Sequence, residues 1–206
     1  MVFLAPLTTF YRIYKKKCTE GFQSLPYVVA LFSATLWLFY AFIKKNELLL
    51  VIINSIGCII ESFYIAIYLA YAQNKARIYT AKLILFLNMG VFSVIVLTIL
   101  LLIEQSHRAR VLGWICVGFA VSVFVAPLSI MKLVIKTRSV EFMPFYLSFF
   151  LTISAIAWFF YGLLVKDLYV MVSSTTILRH TYEFKLCRLS VRSVKNARHI
   201  KNENDM

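Results

Sequence analysis

Two tryptophans, Trp37 and Trp158, stand inside long apolar runs, and each follows a serine four positions earlier, Ser33 and Ser154. Four positions is about one helical turn, so on a helix each indole shares a face with its hydroxyl. Asn54 lies in a further apolar run, where an unpaired amide is costly. A flat indole with hydroxyl and amide groups can hold a ligand that has an apolar face and a polar rim. The same residues serve equally as packing or interfacial aromatics, with Asn54 tying helices together. Glu61, two turns beyond Asn54, is an acid inside an apolar run. Such a group is a proton site or a structural hydrogen-bonding group. With no second buried carboxylate or histidine to form a relay, the structural role is expected.

Reaction chemistry has little support. No nucleophile stands with a base, and the six glycines are dispersed rather than gathered into a phosphate loop. Cys18, Cys58, Cys116 and Cys187 form no CxxC pair, and His107, His180 and His199 form no HxxxH pair. No metal, cofactor or enzymatic activity is expected.

The elements that must position these residues follow from composition. Of 206 residues, 61% are apolar and only 15% charged. One small globular core cannot bury that much apolar surface, but lipid can solvate it. The net charge of +13 does not indicate a nucleic-acid partner, because the basic residues form short clusters between apolar runs. A span of the hydrocarbon core takes about 20 helical residues. Five runs qualify: Leu25–Ile43, Leu48–Tyr71, Ile78–Ile103, Val111–Val134 and Met143–Val165. Lys82, near the start of the third, can snorkel. A sixth segment, Val2–Tyr14, is too short to span and reads as the C-terminal half of a helix. It is not a cleavable signal, since Arg12, Lys15, Lys16 and Lys17 follow the apolar stretch rather than precede it.

Between the spans, one side collects Arg12, Lys15, Lys16, Lys17, Lys75, Arg77, Lys82, Lys132, Lys136 and Arg138. The other collects Lys44, Lys45, Arg108, Arg110 and Lys166. The richer set is expected to be cytoplasmic.

The chain also repeats itself. Leu4-Ala5-Pro6-Leu7 returns as Val125-Ala126-Pro127-Leu128, each before a basic loop. Pro26 in Ser24-Leu25-Pro26-Tyr27 returns as Pro144 in Phe142-Met143-Pro144-Phe145. Trp37-Leu38-Phe39-Tyr40 returns as Trp158-Phe159-Phe160-Tyr161, and each copy closes on a polar turn, Lys44-Lys45-Asn46-Glu47 or Lys166-Asp167. Landmarks kept in order argue for two copies of a three-helix unit. The run Ile78–Ile103 is the odd helix between them, which gives both copies the same orientation.

These motifs, together with Ile52-Ile53-Asn54-Ser55, resemble the SWEET (nodulin/saliva-type) sugar transporters. The stretch from Arg12 to Tyr40 is similar to the plant nodulin-type subgroup associated with sucrose, and the resemblance covers roughly Met1 to Val170. SWEET transporters are themselves a known case of parallel repeats, so that arrangement is not an independent prediction. The resemblance implies an all-α integral membrane fold of two parallel three-helix repeats joined by a linker helix. It implies bidirectional, energy-independent movement of sucrose, glucose or fructose by alternating access. The setting it implies is the plasma membrane, within lipid, as a homo- or hetero-oligomer and without nucleic acid. Ser33, Trp37 and Asn54 from one repeat and Ser154 and Trp158 from the other would hold the sugar. Val2 and Val123 would shape its selectivity wall. Pro6, Pro26, Pro127 and Pro144 would be hinges. Pro6 and Pro127 fall inside apolar segments, where a proline removes a hydrogen bond and bends the helix, and Pro26 and Pro144 fall near the starts of theirs, where a proline costs little. Tyr40 and Asp167 would pair as an extracellular gate.

The chain departs from the pattern after Val170. Ser174 stands where the family's second pocket asparagine belongs, and no later apolar run is long enough to span. The expected organisation is a first repeat over 1–74 with a partial first helix and a linker region over 75–108. A second repeat over 109–170 would lack its third helix, before a divergent basic tail over 171–206. Seven of the 22 Lys and Arg lie after Leu178, and this tail is expected to be disordered or an irregular surface helix left on the outer face. The alternative to a facilitator is a non-transporting subunit that assembles with full-length relatives.

Overall fold

The computed structural model describes residues 7–17, 19, 23–45, 47–123 and 145–204. Side chains are described for these except 7–9, 12, 122–123, 145–151, 184, 187–188 and 190–204. The described residues form seven helices: α1 Leu7–Lys16, α2 Leu25–Lys44, α3 Leu48–Tyr71, α4 Asn74–Leu102, α5 Gln105–Val123, α6 Phe145–Val165 and α7 Leu168–Asn204. The expected spans coincide with α2, α3, α4 and α6 to within a few residues, because lipid requires each apolar run to satisfy its backbone internally. Among the described residues, α2, α3 and α4 are long and apolar enough to cross a membrane. The chain divides into two compact units, Phe3–Phe119 and one that holds Ala120–Met206.

In the first unit α1 packs on α3 through Phe10 and Ile13, both buried. The Phe10 ring stacks on Tyr64 at 4.4 Å and meets Tyr27 edge-on at 4.8 Å. Lipid is as apolar as these side chains, so close packing rather than escape from water holds α1 in place. Pro26 sits in the first turn of α2, where a helix needs no N–H from it. The Ser24 hydroxyl is 2.6 Å from that of Thr80, which itself lies 2.8 Å from the Ala76 carbonyl. A hydroxyl has one proton, so Thr80 donates to Ala76 and Ser24 donates to Thr80. This buried chain ties the start of α2 to α4.

Two stretches of α4, Leu85–Val91 and Thr98–Leu102, are wound as wider π-turns. The first carries Asn88, whose amide donates to the Val28 carbonyl at 3.4 Å. Arg108 closes the far end of α4, its guanidinium donating to the carbonyls of Ile103 at 3.0 Å and Leu100 at 2.8 Å. Helix ends leave such carbonyls without partners inside the helix.

In the second unit α6 and α7 pack along each other across the short turn at Lys166 and Asp167, which makes them antiparallel. Gly162 permits their close approach. A Cβ there would lie 2.9 Å from Met171 Cγ and 3.0 Å from its backbone nitrogen.

The tail is where the structure departs from expectation. A regular helix runs from Leu168 to Asn204 in place of a disordered or irregular segment. Its first turns are apolar and pack on α6, which supplies the costly nucleus; each further residue then adds a hydrogen bond at little cost. Arg179 and Glu183, one turn apart at 3.3 Å, support the continuation. What the sequence lacks after Val170 is a long apolar run, and α7 fills the seventh place without being one. Because α7 returns alongside α6, its basic end lies on the side where α6 begins. If that side is the cytoplasmic one, as the loop charges lead one to expect, the seven tail cations accord with the positive-inside rule.

Candidate functional site

Each unit is built separately from the residues singled out above. In the first, Ser33 and Trp37 lie one turn apart on α2, both half-buried. The indole meets the Tyr40 ring edge-on, with centroids 5.6 Å apart at 85°. Tyr40 is almost wholly buried. The Lys44 ammonium stands 5.9 Å from its ring centre and pairs at 2.8 Å with the buried carboxylate of Glu47. Lys45, at φ 62, turns the chain into α3. Seven residues past Glu47, the buried Asn54 amide donates to the Leu50 carbonyl at 2.8 Å. That bond uses one of its two N–H donors.

The second unit repeats this plan. Ser154 and Trp158 are half-buried on α6, and Trp158 meets Tyr161 at 5.6 Å and 84°. Lys166, at φ 56, makes the turn. Seven residues past Asp167, the buried Ser174 hydroxyl donates to the Val170 carbonyl at 2.7 Å. Asp167 differs from Glu47 in its role. Its Oδ1 accepts the backbone N–H groups of Tyr169 at 3.0 Å and Val170 at 3.2 Å, so it caps α7.

Val2, Pro6, Pro127 and Pro144 lie outside the described residues, and Val123 is described by its helical backbone in α5 alone. Tyr40 falls in the first unit and Asp167 in the second. Glu61 is buried, and its Oε2 has no hydrogen-bond partner among the described residues. Two features escaped the sequence reading. Asn88 is a polar residue in an apolar run, flagged by the same signal as Asn54, and its buried Oδ1 lacks a partner among the described residues. The Lys44–Glu47 ion pair reads in sequence as an ordinary solvated turn and becomes buried only on folding.

These features define a multi-pass helical membrane protein whose two units present matched indole, phenol and small polar groups. The chain belongs to the MtN3/SWEET family, described as sugar efflux transporters for intercellular exchange, whose family model matches residues 1–76 and 110–183. The second match passes Val170, where the sequence pattern fades, and takes in the first turns of α7. The chain is 65% identical to the bidirectional sugar transporter SWEET13 of Oryza sativa subsp. japonica over 82% of its length and 57% of the relative's. It is 61% identical to SWEET11 of Arabidopsis thaliana (82% and 58%) and 56% identical to N3 of Medicago truncatula (82% and 63%). The chain thus spans little more than half the length of these relatives. A solved structure of a eukaryotic SWEET transporter matches with a TM-score of 0.83 at 31% identity, over 93% of this chain and 90% of that one.

Proposed function

We propose that this protein is a bidirectional, energy-independent facilitator that moves sucrose, glucose or fructose across the plasma membrane by alternating access. The observation that carries the reading is the identity of 56–65%, over 82% of the chain, with proteins named bidirectional sugar transporters. The duplicated geometry supports it. Trp37 and Trp158 each offer an indole face on which the C–H face of a sugar can pack. Asn54, Ser33 and Ser154 offer donors and acceptors to its hydroxyls. Ser174 would supply a hydroxyl where Asn54 supplies an amide. Val2 and Val123 would form the wall, Pro6, Pro26, Pro127 and Pro144 the hinges, and Tyr40 with Asp167 the outer gate. The acting form is a homo- or hetero-oligomer of SWEET chains.

The test is uptake and counterflow of radiolabelled sucrose and glucose in proteoliposomes made with this chain alone. Sugar moving down its gradient in either direction, without an ion gradient, supports the proposal. No flux alone, with altered flux when a full-length relative is present, would replace it with a modifying subunit.

A further inference from the structure

The helix α4 has two distinct faces. Ala76 packs against the aromatic core of α1 and α3, the buried Thr80 bonds to Ser24, and Asn88 reaches the Val28 carbonyl. These positions, four and eight residues apart, mark the inner face. Lys75, Ile78, Tyr79, Lys82, Phe86 and Met89 recur at helical spacing on the other side, and all six are exposed. Among the described residues neither lysine forms an ion pair.

Length sets the depth of this outer face. The 29 residues of α4 extend about 40 Å at about 1.5 Å each. A bilayer with its headgroups is about 40–45 Å thick, of which about 30 Å is hydrocarbon. The helix therefore begins and ends in the headgroup layers. Lys75 stands in its first turn. Lys82 lies about 10 Å further along the axis, at the edge of the hydrocarbon, where its stem can reach back towards the headgroups. Tyr79 sits between the two, and Phe86 and Met89 continue the face into the acyl region.

Charge favours an anion at this level. The first turn of α4 holds Lys75 and Arg77 and no acid, although a helix dipole disfavours cations there. The end of α1 lies on the same side, because α1 and α3 run parallel: Phe10 meets Tyr64, and Tyr14 meets Tyr71. It adds Lys15, Lys16 and Lys17, all exposed. Among the described residues this end of the first unit carries no exposed carboxylate. Glu47 stands with Lys44 at the opposite end of α2, Glu61 is buried, and Glu104 follows the far end of α4. Glu20 lies outside the described residues.

We propose that the outer face of α4 between Lys75 and Lys82 binds the headgroup of an anionic phospholipid. The two ammonium groups flank its phosphate, the Tyr79 hydroxyl donates to a phosphate oxygen, and an acyl chain lies along Phe86 and Met89. A second copy of this chain fits the face less well, since a protein of net charge +13 brings further cations to it.

The experiment is native mass spectrometry of the full chain in detergent, with phosphatidylglycerol or phosphatidylcholine added at equal concentration. Phosphatidylglycerol should be retained about tenfold better, as one bound lipid. Lys75→Gln/Lys82→Gln should abolish the preference. Either lysine change alone should reduce it about threefold, which keeps the test readable if the double variant fails to assemble. Lys166→Gln, in the second unit, should leave it unchanged. Equal retention of the two lipids overturns the proposal, as does a preference that survives the double change. Displacement of the lipid by millimolar inorganic phosphate would also overturn it in favour of a free-anion site. A dimer that forms only without bound lipid, and is lost in the double variant, would assign the face to a second copy instead.

Discussion

The turns after α2 and α6 start from nearly the same residues and end in different roles. In both, a tryptophan meets a tyrosine at 5.6 Å, a lysine of positive φ reverses the chain, and an acid precedes the next helix. In the first, a lysine at position 44 binds the acid, Glu47, at 2.8 Å. In the second, Val165 takes the place of Lys44 and the loop lacks a counterpart to Asn46. Asp167 then turns to the helix behind it and caps α7. The duplicated part is the scaffold of the matched tryptophans and tyrosines, while the acid has been put to use by whatever lies nearest. One unit spends it on charge, the other on a helix end.

The largest effects are expected where the two units carry matching groups. Trp37→Ala and Asn54→Ala should each lower sugar flux in proteoliposomes by tenfold or more, roughly the loss of one strong transition-state contact. Ser174→Ala should lower it by no more than about threefold, because its hydroxyl is already committed to Val170. Equal losses at Asn54 and Ser174 would show that the two halves contribute alike.

Packing should differ next. Gly162→Leu is expected to destabilise the second unit by about 2–3 kcal/mol, since its side chain would meet the backbone of Met171. The corresponding residue of the first unit is Ala41, and Ala41→Gly should cost about 1 kcal/mol, the ordinary helix penalty. Thermal unfolding of both variants in one detergent checks the pair.

The acids give a smaller contrast. Asp167→Asn should leave stability within about 0.5 kcal/mol, because asparagine caps a helix as well as aspartate. Asp167→Ala should cost about 1–2 kcal/mol. Glu47→Gln removes the charge that Lys44 faces and should cost about 1 kcal/mol. A destabilising Asp167→Asn would mean that the charge, and not the cap, is what the second unit needs.

The smallest effect is expected at Glu61. Its buried Oε2 has no donor among the described residues, and a buried polar atom without a partner is unfavourable. Glu61→Met, which removes both oxygens at similar length, should therefore raise the unfolding temperature by a few degrees, corresponding to about 1 kcal/mol. A fall in stability would reveal a partner that binds the carboxylate.

Much of this molecule could be read from residue order. The limits of α2, α3 and α6 follow from runs of apolar residues because hydrocarbon leaves the backbone no other partner. The matched Trp, Tyr and turn lysines were visible as spaced identities, and their geometry proved equally matched. The buried amide of Asn54 was signalled by its apolar neighbours, and Asn88 carried the same signal unread.

Other features depend on contacts between residues far apart in pattern or unlike in type. α7 is helical although its later turns are polar, because the flank of α6 nucleates it and Asp167 caps it. Composition alone counts charges and does not include a neighbouring helix. Likewise Glu47 and Asp167 are the same kind of residue at the same place in a repeat, and only the atoms that fold against them separate an ion pair from a cap. Apolar solvation is a property of the segment, and so it is written along the chain. Hydrogen-bond partners and close approach belong to pairs, and a pair exists only once the chain has folded.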